Sequence, residues 1–202
     1  MIKVKMCGLT RIEEIIAANE IRPNYIGFVF AKKSRRYIAP DKARELKNAL
    51  DSRISAVGVF IDEDIDFISG LLERGIIDIA QLHGNETDEY IEALREKTNK
   101  PVIKAFRIKN TDDIRAANKS AADMILLDAG AGEGKAFDWS LLQYAERPYF
   151  LAGGLDIDNI GNVSSYPYLF ALDVSSGIET DGIKDKKKMA EFIKAAGKED
   201  IK

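Results

Sequence analysis

The chain has 202 residues, 46% of them hydrophobic, enough for one well-filled core, so a single domain over residues 1–202 is expected. Thirty basic and 33 acidic side chains leave a net charge of −3, and no basic block is rich enough to follow a phosphate backbone, which argues against a nucleic-acid partner. No apolar stretch approaches the roughly 18 residues of a membrane span and "MIKVKMCGLT" lacks the apolar centre of a signal peptide, so no membrane contact and a cytoplasmic location are expected. One cysteine and one histidine make neither an internal disulfide nor a zinc cluster. Cys7 is then a packing residue or a reactive thiol.

In chain order, short β-branched runs alternate with amphipathic stretches. "IKVKMC" starts near residue 2 and precedes a helix candidate, "RIEEIIAANE", behind Thr10; "YIGFVF" starts near 25, and Pro40 opens "DKARELKNAL". "ISAVGVF" near 54 precedes "DEDIDFISGLLERG", "IIDIAQL" near 77 precedes "NETDEYIEALREK", and "PVIKAF" near 102 precedes "TDDIRAAN". The last three runs, "DMILLD", "PYFLAG" and "FALDVS", begin near 123, 149 and 170, with "DWSLLQYA" after the first of them. The helix expected after the seventh strand is the weakest element, because "DIDNIGNVSSYP" is short and glycine-interrupted. "KDKKK", Lys184 to Lys188, reads as a solvated first turn of the last helix.

Eight such units of about 25 residues each predict an α/β fold: a compact single-domain (β/α)8 TIM barrel of eight parallel strands. An open doubly wound sheet is the alternative. Against it, "CGLTRIEE" has one glycine where a dinucleotide fingerprint has three.

A barrel of this kind works at the C-terminal ends of its strands, so the polar residues that end the apolar runs become the candidates. Alternation puts Lys3, Lys5 and Cys7 on one strand face and Ile2, Val4 and Met6 on the other; the apolar set faces the helices, and Cys7 points into the mouth beside Lys5. Met124, Leu126 and Asp128 likewise share a face. An apolar rim disfavours the charge on Asp128 and suits it to general-acid use, although a loop or capping aspartate is the plainer reading. The glycine-rich run after Asp128 misses the phosphate-loop pattern and reads as a mobile loop over the site. "LAGGLD" and "LDVSSGIE" end strands seven and eight, where barrels often hold phosphate with backbone N–H groups; Gly153, Gly154, Ser175, Ser176 and Gly177 are the candidates. Between Lys32 and Arg36 lie four cations, by default a solvated turn, although the planar fork of Arg36 suits a carboxylate. "QLHGNE" puts Gln81 and His83 on one face near the mouth, where His83 is as well explained by a surface turn as by ligand contact.

"KMCGLT", "GFVFAKKSRRYI", "VGVF", "QLHG", "KAFR", "LLDAGAGEGKAFDW", "LAGGL" and "DVSSGIE" together resemble the phosphoribosylanthranilate isomerase family, in order along nearly the whole chain. The resemblance implies an Amadori rearrangement of a phosphorylated small-molecule substrate in tryptophan biosynthesis, with no cofactor or metal. It further implies Asp128 as general acid, Cys7 as general base and Arg36 as holder of the anthranilate carboxylate, in a monomer or homodimer. Another phosphosugar barrel enzyme, or a non-catalytic phosphate-binding barrel, is the competing reading; retention of both Cys7 and Asp128 argues against the second.

Overall fold

The computed structural model describes residues 2–128 and 138–197. Eight strands close in chain order into one barrel, parallel throughout: β1 (Lys3–Cys7), β2 (Tyr25–Val29), β3 (Ser55–Phe60), β4 (Ile79–Leu82), β5 (Val102–Arg107), β6 (Met124–Asp128), β7 (Tyr149–Ala152) and β8 (Leu169–Val174). The glycine-rich run after Asp128, expected to be a mobile loop, lies outside the described residues.

Alternation along each strand divides the core into two parts. Tyr25, Val57, Ile79, Ile103, Leu126, Phe150 and Ala171 fill the barrel, while Val4, Met6, Ile26, Phe28, Leu127 and Leu172 face outward beneath the helices. The helices are α1 (Ile12–Ile21), α2 (Pro40–Ala49), α3 (Ile65–Glu73), α4 (Asp88–Lys97), α5 (Thr111–Lys119) and α6 (Lys186–Ala195). Each lays an apolar stripe on the strands. Ile68, Leu71 and Leu72 of α3 are all but fully buried, and each such side chain contributes about 1.5–3 kcal/mol relative to exposure. Asp64 accepts from the N–H groups of Asp66 and Phe67 at the start of α3, and Asn110 does the same for Asp112 and Asp113 at the start of α5.

Four local expectations are corrected. Thr10 does not cap α1; the cap position is Arg11, and the Glu14 carboxylate reaches back to accept the N–H groups of Thr10 and Arg11 at 2.6 and 3.0 Å. "DWSLLQYA" folds as a 3₁₀ segment, Trp139–Tyr144, because Pro148 holds the preceding residue extended and leaves too few residues for a longer helix. After β7 the connection is another 3₁₀ segment, Ile160–Ser165, ended in the same way by Tyr166 before Pro167. Lys184 is not solvated: it lies buried in β10 (Ile183–Lys184), which pairs antiparallel with β9 (Glu179–Thr180), and Asp185 caps α6.

Candidate active site

The strand ends open into one cavity of about 610 Å³ whose wall includes Cys7, Arg36, Gln81, His83, Asp128, Gly153, Gly154, Asp173, Ser175 and Ser176. Nine of the ten sequence-derived candidates therefore meet in one place. Gly177 does not line it. A Cβ at Gly177 would collide with the carbonyl oxygen of Leu155, so this glycine packs the loop after β8 against the loop after β7.

Cys7 ends β1 opposite Gly27 of β2. A side chain at Gly27 would stand 2.6 Å from the Cys7 Sγ, so the absent side chain makes room for the thiol. Gly8, at φ +83°, turns the chain away, and a Cβ there would meet the Arg36 Cδ. Beneath Cys7, the fully buried Lys5 donates to Asp173 Oδ2 at 2.8 Å. Burial penalises the Lys5 ammonium, but Asp173 and Cys7 hold it above its ordinary value. For Asp173, burial pushes the carboxyl upward against the pull of Lys5. We take the pair as ionised, because a protonated Asp173 would leave the ammonium buried without a counter-charge. The thiol follows burial: desolvation pushes Cys7 up, and Lys5 only partly opposes it. Lys5 thus lowers the thiol, but burial outweighs it, and Cys7 rests as a thiol in the unliganded protein.

Asp128 meets a row of polar groups from β4. The Gln81 Nε2 lies 3.0 Å from the His83 Nδ1, and the His83 Nε2 lies 3.1 Å from the Asp128 Oδ2. With the amide donating to Nδ1, the ring proton sits on Nε2 and donates to Asp128. The turn carrying His83 is braced on both sides. Lys104 donates to the Gly84 carbonyl at 2.7 Å and to the Glu86 Oε2 at 2.8 Å, and Glu86 accepts the N–H groups of Gly84 and Asp62 at 2.9 and 2.8 Å.

Of the four cations after β2, Lys32, Lys33 and Arg35 are exposed and Arg36 is half-buried. The Arg36 Nε and Nη2 donate to the two oxygens of Glu179 at 2.6 and 2.8 Å, Arg35 adds a bond at 3.0 Å, and Lys184 adds one at 2.6 Å. Burial works against the Glu179 charge, yet hydrogen bonds from Arg36 and Lys184 prevail and hold the carboxyl down to about 2. Lys184 also donates to the Ser175 carbonyl at 3.0 Å, and the Ser175 hydroxyl donates to the Cys7 carbonyl at 3.0 Å. The loop after β8 is thereby tied to the Cys7 backbone and, through Glu179, to the guanidinium. Gly153 and Gly154 have φ of +94° and +67°, conformations open to glycine at little cost.

Sequence reasoning missed Gly27, Glu86, Lys104, Glu179 and the structural part of Lys184. A lysine inside an apolar strand was the available signal for Lys104, since such a charge needs a buried partner. No group of three or more His, Cys, Asp or Glu side chains among the described residues is placed to share a metal ion.

A closed (β/α)8 barrel with a thiol, a carboxylate and a guanidinium around one cavity at its C-terminal mouth is the frame of a barrel enzyme. Residues 4–195 match the family model described as N-(5'phosphoribosyl)anthranilate (PRA) isomerase. A relative from Endomicrobium trichonymphae, an N-(5'-phosphoribosyl)anthranilate isomerase, is 43% identical over 199 residues, covering 96% of this chain and 98% of its own. The crystal structure of phosphoribosyl anthranilate isomerase from Thermotoga maritima superposes with a TM-score of 0.89 at 36% identity, over 98% of this chain and 99% of that one. A phosphoribosyl anthranilate isomerase in complex with reduced 1-(o-carboxyphenylamino)-1-deoxyribulose 5-phosphate superposes with a TM-score of 0.86 at 35% identity, with the same coverage. The chain belongs to the phosphoribosylanthranilate isomerase family.

Proposed function

We propose that this protein isomerises N-(5'-phosphoribosyl)anthranilate to 1-(2-carboxyphenylamino)-1-deoxyribulose 5-phosphate in tryptophan biosynthesis, by an Amadori rearrangement with Asp128 as acid and Cys7 as base. The observation that carries this reading is that Cys7, Asp128, Arg36 and the double glycine after β7 share one cavity. A substrate with a phosphate at one end and a carboxylate at the other matches its two anion-seeking ends, and a relative of 35% identity holds a reduced form of that product.

In this mechanism protonated Asp128 gives its proton to the ribose ring oxygen, and the ring opens to a Schiff base between C1' and the anthranilate nitrogen. Cys7, as thiolate, removes the C2' proton to give the enolamine, which tautomerises to the ketone. No atom is gained or lost. With the His83 Nε2–H donating to Oδ2, the proton that Asp128 transfers is carried on its other oxygen. Because the thiol rests protonated, thiolate must form in the complex, where the adjacent Lys5 ammonium favours it. Arg36 spends Nε and one Nη2 hydrogen on Glu179, leaving Nη1 and the outer Nη2 N–H for the anthranilate carboxylate. The backbone of Gly153, Gly154 and Ser176 receives the phosphate. Loss of substrate fluorescence when the protein is added to enzymatically made phosphoribosylanthranilate tests the reading; an unchanged trace at micromolar protein would refute it.

A further inference from the structure

Asp173 is a carboxylate with half its bonding capacity unused. It sits near the end of β8, paired in register with Lys5 of β1 on one side and Ala152 of β7 on the other. Its side chain is 7% exposed, and it lines the cavity. The two oxygens differ. Oδ2 accepts from Lys5, whereas Oδ1, equally buried, has no hydrogen-bond partner among the described residues. Two other buried carboxylates near the mouth are saturated: Glu179 by Arg35, Arg36 and Lys184, and Glu86 by Lys104 and two backbone N–H groups.

Lys5 cannot move away, because it is fully enclosed by the barrel, so its bond holds the carboxylate in place. A buried acceptor left bare is costly, and a carboxylate accepts only. The missing group must bring a hydrogen: a hydroxyl or an N–H fits, whereas a phosphate or carboxylate is repelled. Strand order supplies the position. β8 lies between β7, whose loop carries Gly153 and Gly154, and β1, which carries Cys7. A sugar phosphate whose anion sits on the first loop and whose reacting carbons reach Cys7 must pass Asp173.

We propose that Asp173 Oδ1 is a sugar-hydroxyl acceptor, binding one hydroxyl of the ribose-derived chain between the phosphate and the carbon that Cys7 deprotonates. This assignment rests on the isomerase reading of the same cavity and adds to it the residue that recognises the polyol middle of the substrate. It makes Asp173 a substrate-contacting group as well as the counter-ion of Lys5.

The test uses ribitol 5-phosphate and its 3-deoxy and 4-deoxy analogues, with dissociation constants measured by calorimetry on the full chain. In the wild type, loss of one of these hydroxyls should weaken binding about ten-fold or more, the scale of a hydrogen bond to a charged acceptor. In Asp173→Asn that ratio should fall to about three-fold, and in the double variant Lys5→Met/Asp173→Leu, which removes both charges together, to below about two-fold. A role confined to neutralising Lys5 predicts a different outcome, with all three ligands weakened equally and the ratio preserved. The proposal is overturned if the ratio survives in Asp173→Asn, or if wild-type binding is absent or indifferent to both hydroxyls. Because these probes lack the anthranilate ring, the two readings separate. Discrimination without turnover of phosphoribosylanthranilate would sink the isomerase reading alone, and turnover without discrimination would sink this one alone.

Discussion

A Cβ on Gly27 would stand 2.6 Å from the Sγ of Cys7, across the register that sets the two residues side by side on β2 and β1. The space that the thiol occupies is therefore supplied by a neighbour with no side chain. Gly27→Ala should keep the barrel, at a cost of about 1–3 kcal/mol for overpacking. It should also displace the thiol by a fraction of an ångström to an ångström, lowering kcat by up to about a hundred-fold. Circular dichroism would report the fold and single-turnover kinetics the loss; wild-type kcat in a folded variant would show that the thiol position is not critical.

Cys7→Ser should leave the fold intact and reduce kcat by about 10²–10⁴-fold, because a serine hydroxyl is almost wholly un-ionised near neutral pH. The thiol pKa can be followed directly. Burial raises it, so alkylation by iodoacetamide should rise with pH through an inflection above the ordinary thiol range. Lys5 pulls the other way, so Lys5→Met should move the inflection higher still; an unmoved inflection would mean that Lys5 does not sense the thiol.

The Gln81 amide selects the tautomer of His83 and, through it, the hydrogen bond to Asp128. Gln81→Met removes that selection at similar volume. The expected result is a kcat about ten-fold lower, a loss near 1.4 kcal/mol, with KM little changed. A rise in KM at constant kcat would instead mark Gln81 as a plain binding residue.

Arg36→Ala should weaken a product analogue by about 1.5–3 kcal/mol while inorganic phosphate binds as before, since the guanidinium and the double-glycine loop serve different ends of the substrate. Equal losses for both ligands would contradict the division.

Glu179 predicts an acid limb of stability. Its carboxyl is held at about 2 in the folded chain against an ordinary 4.5, so its ionised form stabilises the fold above the unfolded value. That contribution, about 3 kcal/mol at full strength, disappears as the pH falls from 4.5 toward 2. Urea midpoints should drop across that window in the wild type and drop less in Glu179→Gln. Identical slopes in the two proteins would mean that the carboxylate is not stabilised by its cations.

The strand starts, the strand–helix alternation and the clustering of polar residues at strand ends were legible because they follow from local periodicity. A side chain's face is set by its position in a two-residue repeat, and Val4, Met6, Lys5 and Cys7 could be sorted before any fold was known. The double glycine after β7 and the fork of Arg36 were likewise visible as residue types suited to anions. Partnerships were decided only in the closed barrel. Lys5 meets Asp173 across 168 residues, Arg36 meets Glu179 across 143, and His83 meets Asp128 across 45. These contacts reverse or refine what the isolated residues suggested: Arg36 is already held by a carboxylate, Lys184 is buried, and burial raises the Cys7 thiol against the pull of Lys5. Hydrophobic pattern is a property of neighbours along the chain, and the sequence determined the barrel through it. Desolvation and charge pairing depend on neighbours in space, so the electrostatic state of the site was settled only when β8 closed against β1.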